Sequence, residues 1–379
     1  MGAQESASVA MTLRNSKSNG ATTCPLQIAV VGTRGVPARY GGFETLAEQL
    51  ANNVDPDATR LTLYGQRSAY SSAERRGGFK GHPRVWMPFS AGGAQSLIHD
   101  ALQLFHAAFI KRHSHILLLG TSAAWLLPFV RLFRRNLRIV TNVDGLEWRR
   151  DKFGALARNL LKTLETFAVR SSNIVIADND ALVPMVREIH GIEPVMIAYG
   201  ADQVQVLGDS GSDPRGYLLA IARVEPENNT AMILSAVRAA GAKIVFVGNW
   251  QTSDYGRSLI EKYQNASGID LRSPVYDQAI LADIRSGSSA YVHGHSVGGT
   301  NPSLVEAIYH SSRILAFDCS FNRATLDNAG EYFSNDEELA KLIRRPDSGL
   351  IAPEVLALLR GRYRWDTIVR QYIDVLTTA

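Results

Sequence analysis

Cysteine is scarce in this chain: 379 residues contain two, Cys24 and Cys319, far apart and in no C-x-x-C or zinc-type spacing. A disulfide-dense scaffold and a cysteine metal cluster are thereby ruled out, and each thiol reads as a small packed side chain. Excess charge is missing too. The formal net charge is only +4, too mild to argue for nucleic acid without a clustered basic face. Long apolar runs are also absent. The most apolar stretch, His115 to Val130, is interrupted by Gly120, Thr121, Ser122 and Pro128, and it falls short of the ~20 residues of a spanning helix. Residues 1–24 are rich in Ser, Thr, Asn, Gln and Ala without an apolar core. They read as a disordered tail, neither secretion signal nor anchor. Together these absences predict a cytoplasmic globular chain, and its length suits roughly two to three domains.

What is present is a rhythm. Gln27–Gly32 is apolar after its first residue, as a strand buried on both faces should be. A glycine-rich turn follows, then a helix with Phe43, Leu46, Ala47 and Leu50 on one face. Further strands are expected near Arg60, Arg84, His115, Arg138, Asn173 and Pro194, with helices near Ser96–Lys111, Ala123–Arg135, Gly154–Val169 and Asp180–His190. Gly, Ser, Asp and Pro then crowd together at 205–215, which marks a linker. A second series follows, with strands near Gly216–Ala222, Lys243–Val247, Ile269–Ser273, Ala290–His293, Arg313–Phe317 and Glu331–Phe333. Helices alternate with these strands, and Trp365–Leu376 forms a last one. The β-α alternation predicts an α/β fold of two Rossmann-like domains, over 25–204 and 216–360. Their mostly parallel sheets would face across a cleft that takes ligands at the strands' carboxyl ends. The C-terminal helix, within 361–379, is expected to pack back across both domains.

Chemistry concentrates at a few strand ends. Tyr291–Ala307 reads Y-V-H-G-H-S-V-G-G-T-N-P-S-L-V-E-A. Gly298 and Gly299 let backbone approach a ligand, Thr300, Asn301 and Ser303 add hydrogen-bonding groups, and Pro302 opens a helix with Glu306 one turn in. A helix N-terminus favours phosphate, and a carboxylate just beyond it suits ribose hydroxyls. The first turn, Gly32–Glu44, fits no G-x-G-x-x-G, and the next strand lacks an acidic end, which disfavours a nicotinamide cofactor. Gly41 and Gly42 still open a helix and could meet phosphate, with Arg34, Arg39 and Tyr40 beside them; a plain tight turn is the other reading. Asp144 and Glu147 flank a glycine near Trp148. They could handle a proton or sugar hydroxyls, with the ring stacking on a sugar, or be loop charges neutralised by Arg149, Arg150 and Lys152. Asp178-Asn179-Asp180 has the form of a metal-binding D-x-D but reads better as a helix cap. Arg223 closes the first strand of the second domain and could hold a diphosphate, or else pair with Glu225 or Glu227. Lys111, Arg112, Arg131, Arg134, Arg135 and Arg138 flank the apolar Trp125–Phe133 segment. That reads as a surface for anionic lipid or as a buried helix with solvated ends.

Three stretches in order, Gly32–Glu44, Val143–Lys152 and His293–Ala307, resemble the family 4 retaining GT-B glycosyltransferases, and most closely their bacterial rhamnosyltransferase-like branch. The resemblance runs from about Leu26 to Tyr372. It implies a metal-independent hexosyltransferase that moves a sugar from a nucleotide-sugar donor to a glycan or lipid-linked saccharide in cell-surface polysaccharide synthesis. Glu306 would hold the ribose, Arg223 with Gly299–Ser303 the diphosphate, and Gly41 and Gly42 would approach the same phosphates. Asp144 would face the reacting sugar and acceptor. Two positions depart from the family pattern: Gly298 stands where an acid is usual, and Asn228 where a lysine is usual. Those departures make dTDP-rhamnose, which lacks a 6-hydroxyl, a donor to test. No metal and no nucleic acid are implied, and association would be peripheral, at the inner face of the plasma membrane. The rivals are a GT-B sugar-nucleotide epimerase and a non-catalytic sugar-nucleotide-binding protein.

Overall fold

The computed structural model describes residues 25–39, 41–90, 95–143, 145–149, 153–207, 215–345 and 348–378. The tail over 1–24, most of the linker over 205–215, and the candidate site residues Tyr40 and Asp144 lie outside them. Two parallel sheets organise the chain. The first holds β1 (Leu26–Val31), β2 (Thr59–Gln66), β3 (Arg84–Met87), β4 (His115–Leu119), β5 (Arg138–Val143), β6 (Ile174–Ala177) and β7 (Val195–Met196). The second holds β8 (Tyr217–Ile221), β9 (Ile244–Val247), β10 (Ile269–Arg272), β11 (Ser288–His293), β12 (Ile314–Phe317) and β13 (Glu331–Phe333). The strand orders are β3-β2-β1-β4-β5-β6-β7 and β10-β9-β8-β11-β12-β13, and every pairing is parallel. Each sheet therefore reverses direction once, between β1 and β4 and between β8 and β11. A crevice opens at such a switch point, outside the strands' carboxyl ends.

The strands' β-branched and leucine runs explain the layers. Ile28, Ala29, Val30 and Val31 are each at most 1% exposed, so helices must cover both faces of the first sheet. Helix α1 (Gly42–Asn53) buries Leu46, Ala47 and Leu50 on one side. Helices α2 (Gln95–Phe105) and α3 (Leu127–Phe133) bury Leu104, Leu127 and Val130 with Ile116 and Leu118, and α4 (Ala155–Ser171) adds Leu164 and Ala168. The helix expected over Ser96–Lys111 is regular only to Phe105 and continues as a wider π turn, His106–Ile110. That expected over Ala123–Arg135 splits into a 3₁₀ turn, Ala124–Leu126, and α3, with Pro128 in its first turn. Pro128 has no N–H to donate and belongs where a helix starts. Two helices, Ser320–Thr325 and Pro353–Arg362, have no counterpart in the sequence reading.

One core cluster runs through both sheets, joining Ile28 and Leu117 to Leu219, Leu304 and Ile314 by way of Ile197–Ala201 and the C-terminal helix Trp365–Thr377. That helix buries Trp365, Ile368, Val369, Tyr372 and Leu376 against α1, β4 and β5. The Arg138 guanidinium donates to the Val375 carbonyl at 2.9 Å. Trp365 meets the Tyr199 ring edge-on at 4.9 Å. A Cβ on Gly200 would stand 2.5 Å from the Trp365 ring, so the residue there has to be glycine.

Candidate functional site

The carboxyl ends of the two sheets meet at their glycine loops. Gly41, with φ 95°, is the N-cap of α1 and has no side chain to cap it; the Glu44 carboxylate lies beside it, 2.7 Å from where a Gly41 Cβ would stand. Opposite it, helix Pro302–His310 is capped by Asn301, whose Oδ1 accepts from the Ser303 N–H at 3.1 Å and from the Ser303 hydroxyl at 2.9 Å. A Cβ on Gly42 would lie 3.4 Å from Pro302 and 3.5 Å from Tyr199, so the two helix N-termini approach each other across the cleft. Gly145, with φ 65°, backs onto the other loop, where a Cβ would come within 3.0 Å of the Gly298 Cα. Gly298 itself has φ 132°, a conformation open to glycine and strained for other residues. Among the described residues, no carbonyl or side chain accepts from the N–H groups of Gly298, Gly299, Thr300 or Asn301. Two positive helix ends and a row of unpaired donors make a cradle for an anion.

The D-x-D segment stitches the two domains at this point. Asn179 Oδ1 accepts from the Ala181 N–H at 3.0 Å, a cap on the turn into helix Leu182–His190. Its Nδ2 crosses the cleft to the hydroxyls of Thr300 (3.2 Å) and Thr325 (3.1 Å) and to the Phe321 carbonyl (3.3 Å). The Thr300 hydroxyl in turn donates to the Asp178 carbonyl, and a Cβ on Gly299 would fall on the Asp178 carboxylate. Asp180 pairs with Arg362. The capping reading therefore covers only half of what Asn179 does. The crossing bonds had no sequence signal, because their partners lie more than a hundred residues away.

Arg223 follows β8 at the second switch point. Its guanidinium is 44% exposed, and its carboxylate partner among the described residues is Glu225, at 3.8 Å, a loose pair that leaves its donors accessible. The loop carrying it is laced to the glycine loop. The Ser296 N–H donates to the Glu227 carbonyl at 3.0 Å, Asn228 Oδ1 meets His295 Nδ1 at 2.7 Å, and Asn229 Nδ2 donates to the Gly294 carbonyl at 2.9 Å. Asn228 is 3% exposed and also donates to the Arg223 carbonyl at 2.8 Å. At the position where a lysine is expected from the resemblance, this chain thus has a buried brace. His293 ends β11 next to the cradle. Burial holds its pKa down to about 3, and its Nε2 has no partner among the described residues, so it sits there as a neutral ring.

Glu306 lies one turn inside helix Pro302–His310, paired with Arg285 of helix Gln278–Ser286 and reached by Gln203 Nε2 at 3.4 Å. Burial pushes its pKa up while Arg285 pulls it down. The Arg285 side chain is 5% exposed against 22% for Glu306. Arg285 therefore backs the carboxylate from inside and leaves one edge of it open. The sequence offered no hint of Arg285, which sits on a different helix.

The remaining candidates divide. In the first domain Gly32, with φ 91°, packs against the Leu119 backbone of β4. The Arg34 N–H donates to Glu44 Oε1 at 2.9 Å. Asp100 of α2 is 7% exposed, bonded by Ser122 and close to Glu44 and Arg34, and burial pushes its pKa up to about 7. This acidic group at the first switch point was not singled out in the sequence. Arg39 turns away from Gly41 and Gly42. It pairs with Glu74, donates to the Ala69 carbonyl at 2.8 Å and stacks over Tyr70 at 4.7 Å. Glu147 and Trp148 lie on a short turn, Glu147–Arg149. Trp148 donates to Glu165 at 3.1 Å and has Arg149 and Lys162 over its ring at 5.2 and 5.3 Å.

A family model described as a domain of unknown function (DUF1972) matches residues 26–202. No curated protein matches the chain. Sucrose-phosphate synthase from Thermosynechococcus elongatus superposes with a TM-score of 0.72 at 13% identity, covering 92% of this chain and 98% of its own. Anabaena HepE, solved with UDP and glucose, gives 0.70 at 15% identity over 93% of this chain and 100% of its own. The pneumococcal O-GlcNAc transferase GtfA, solved with UDP and GlcNAc, gives 0.53 at 14% over 72% and 59%. The chain thus has the GT-B architecture: two Rossmann-like domains facing across a cleft.

Proposed function

We propose that the chain is a retaining, metal-independent glycosyltransferase of family 4 type, moving a sugar from a nucleotide-sugar donor to a glycan or lipid-linked saccharide. The observation that carries this reading is the convergence of two helix N-termini, at Gly42 and Pro302, with N–H groups on Gly298–Asn301 that find no acceptor among the described residues. A diphosphate is an anion of the right charge for that cradle. Arg223, exposed on the adjoining loop, would pair with its oxygens, and Glu306, backed by Arg285, would accept from the ribose hydroxyls. HepE and GtfA, of like fold, were solved with UDP and a sugar, which supports the donor class.

In this reading the donor's anomeric C–O bond breaks toward the diphosphate. The acceptor oxygen bonds to the same face of the sugar, and its proton passes to the departing phosphate oxygen. Arg223 and the two helix ends stabilise the growing charge, so the role of a metal ion falls to protein groups. Rhamnose from dTDP-rhamnose is the donor we favour, since Gly298 and Asn228 leave fewer polar groups for a sugar 6-hydroxyl. We place the work in cell-surface polysaccharide synthesis at the cytoplasmic side of a membrane, with peripheral attachment. No helix among the described residues is long and apolar enough to cross one.

A panel of dTDP-, UDP- and GDP-sugars, read by thermal stabilisation, identifies the donor, because a ligand of the native state raises stability as RT ln(1 + [L]/Kd). The expected result is one preferred donor, with transfer to a lipid-linked saccharide lost in Arg223→Ala and Glu306→Ala. An epimerised product from donor alone would instead establish an epimerase, and tight binding without turnover on any acceptor would establish a non-catalytic binder.

A further inference from the structure

On the outer edge of the first domain, at the edge strand β3, lies a concave basin of about 520 Å³ whose lining includes Arg67, Arg75, Arg76, Arg84, Trp86, His106 and Lys111. Five of those side chains are arginine or lysine, and none forms a salt bridge among the described residues; Glu74, whose charge acts on Arg84, is itself paired with Arg39. Arg84 forms the floor. It donates to the carbonyls of Val36 (3.1 Å), Glu74 (2.7 Å) and Arg76 (2.9 Å) and lies 5.2 Å over the Trp86 ring. Arg75 donates to the Ser72 hydroxyl at 2.9 Å. Arg67, Arg76 and Lys111 are exposed. Like charges collected in a hollow repel one another unless an anion joins them.

The segment that supplies His106 and Lys111 also carries an apolar ridge. Phe105, Phe109, Phe129 and Phe133 stack in sequence, with ring centroids 5.1, 5.7 and 4.7 Å apart. Ile110, Leu132 and Phe133 at the ridge are 61%, 61% and 60% exposed. An exposed aromatic ridge of this kind marks an interaction surface. Three of the basic residues that the sequence placed around this ridge are held by the fold: Arg131 donates to Ser171 and Asn173, Arg134 to Ala108 and His113, and Arg138 to Val375; Arg112 and Arg135 are exposed, and Lys111 lines the basin. Further positive charge is gathered in the basin, brought there from β3 and from the 67–76 loop.

We infer that the basin binds the phosphate of an anionic membrane lipid while the Phe105–Phe133 ridge rests in the acyl region. A phosphate supplies the charge that the arginines lack, and the contiguous apolar ridge distinguishes a lipid from a soluble anion. This inference rests on the membrane-side reading proposed above and supplies its contact surface.

The test is co-sedimentation of the full chain with phosphatidylcholine vesicles, with and without phosphatidylglycerol, alongside titration with inorganic pyrophosphate. Wild type should bind only the anionic vesicles. Arg67→Ala with Arg76→Ala should weaken binding roughly fivefold per cation removed, about 25-fold for the pair. Leu132→Gln with Phe133→Gln should weaken it too, while pyrophosphate binding stays unchanged in that variant. Unaltered vesicle binding in the arginine pair, or equal binding to neutral vesicles, overturns the inference. Pyrophosphate binding that depends on the arginines, together with vesicle binding indifferent to the ridge, makes the basin a site for a soluble anion and also overturns it. All four positions are on the surface, and a thermal melt confirms folding. Nucleotide-sugar stabilisation measured on the same variants separates a failed lipid site from a failed donor assignment.

Discussion

Replacing Asp100 with asparagine should stabilise the protein at alkaline pH and leave it unchanged in acid. The carboxyl group is 7% exposed on α2, bonded by Ser122, with the charge of Glu44 opposing its ionisation and Arg34 favouring it only weakly. Burial, the largest influence, raises its pKa from 3.8 to about 7. For an acid raised in the folded state, the native protein holds the proton through a range where the unfolded chain has released it. Stability therefore falls as pH rises from about 4 to about 7 and stays lowered above that. The loss is roughly 1.4 kcal/mol for each pH unit separating the folded and unfolded pKa values, about 4 kcal/mol in all. An amide that keeps the shape and a bond to Ser122 removes it. Scanning calorimetry of both proteins across this range reads the difference, at roughly 2–4 °C per kcal/mol for a domain of this size. The melting temperatures should coincide near pH 4 and separate progressively toward pH 8. Parallel curves would show that Asp100 does not titrate there. A variant less stable in alkali would show that the carboxylate is held by favourable partners, reversing the argument.

Arg223→Ala should lower kcat by about 10²–10³, the usual loss for one preorganised charge-stabilising donor, and shift stability by no more than ~0.5 kcal/mol because the side chain is half-exposed; a full kcat would remove it from the diphosphate site. Gly299→Ala sets a methyl group on the Asp178 carboxylate, so the domains should separate locally, visible as a larger radius in small-angle scattering together with slowed turnover. An unchanged radius with normal turnover would contradict the closeness of the two loops. Arg285→Met leaves Glu306 buried without its cation and should cost about 3–5 kcal/mol in denaturant titrations, with donor affinity reduced alongside; a loss under ~1 kcal/mol would mean that water already screens the pair.

Much of this architecture was legible in the residue pattern. Runs such as Ile28–Val31 and Ile244–Val247 are apolar throughout because helices cover both faces of their sheets, and that composition announces parallel strands. The glycines at 41, 42, 298 and 299 stood out because few other reasons place small residues just before a helix. Asn301 and Pro302 carry local capping chemistry, written within three residues of chain. Less legible were side chains whose partners come from elsewhere. Arg39, two residues from Gly41, is held by Glu74, and the Trp148 ring lies beneath Arg149 and Lys162. A charge or a ring in a loop has no periodicity from which its direction can be read.

The sequence by itself determined the alternation of strand and helix, the two glycine loops and the helix starts that make them receptive to anions, because these depend on periodicity and on backbone chemistry a few residues long. Only the tertiary structure decided that Gly42 would face Pro302, that Asn179 would reach Thr300, that Arg285 would stand behind Glu306, and that arginines from a loop and an edge strand would share one basin with Lys111. Those contacts join residues far apart along the chain. They follow from strand order and from the way a single core, closed by the C-terminal helix, packs one sheet against the other. Local residue patterns do not encode that packing, because each contact depends on where every other element has come to rest.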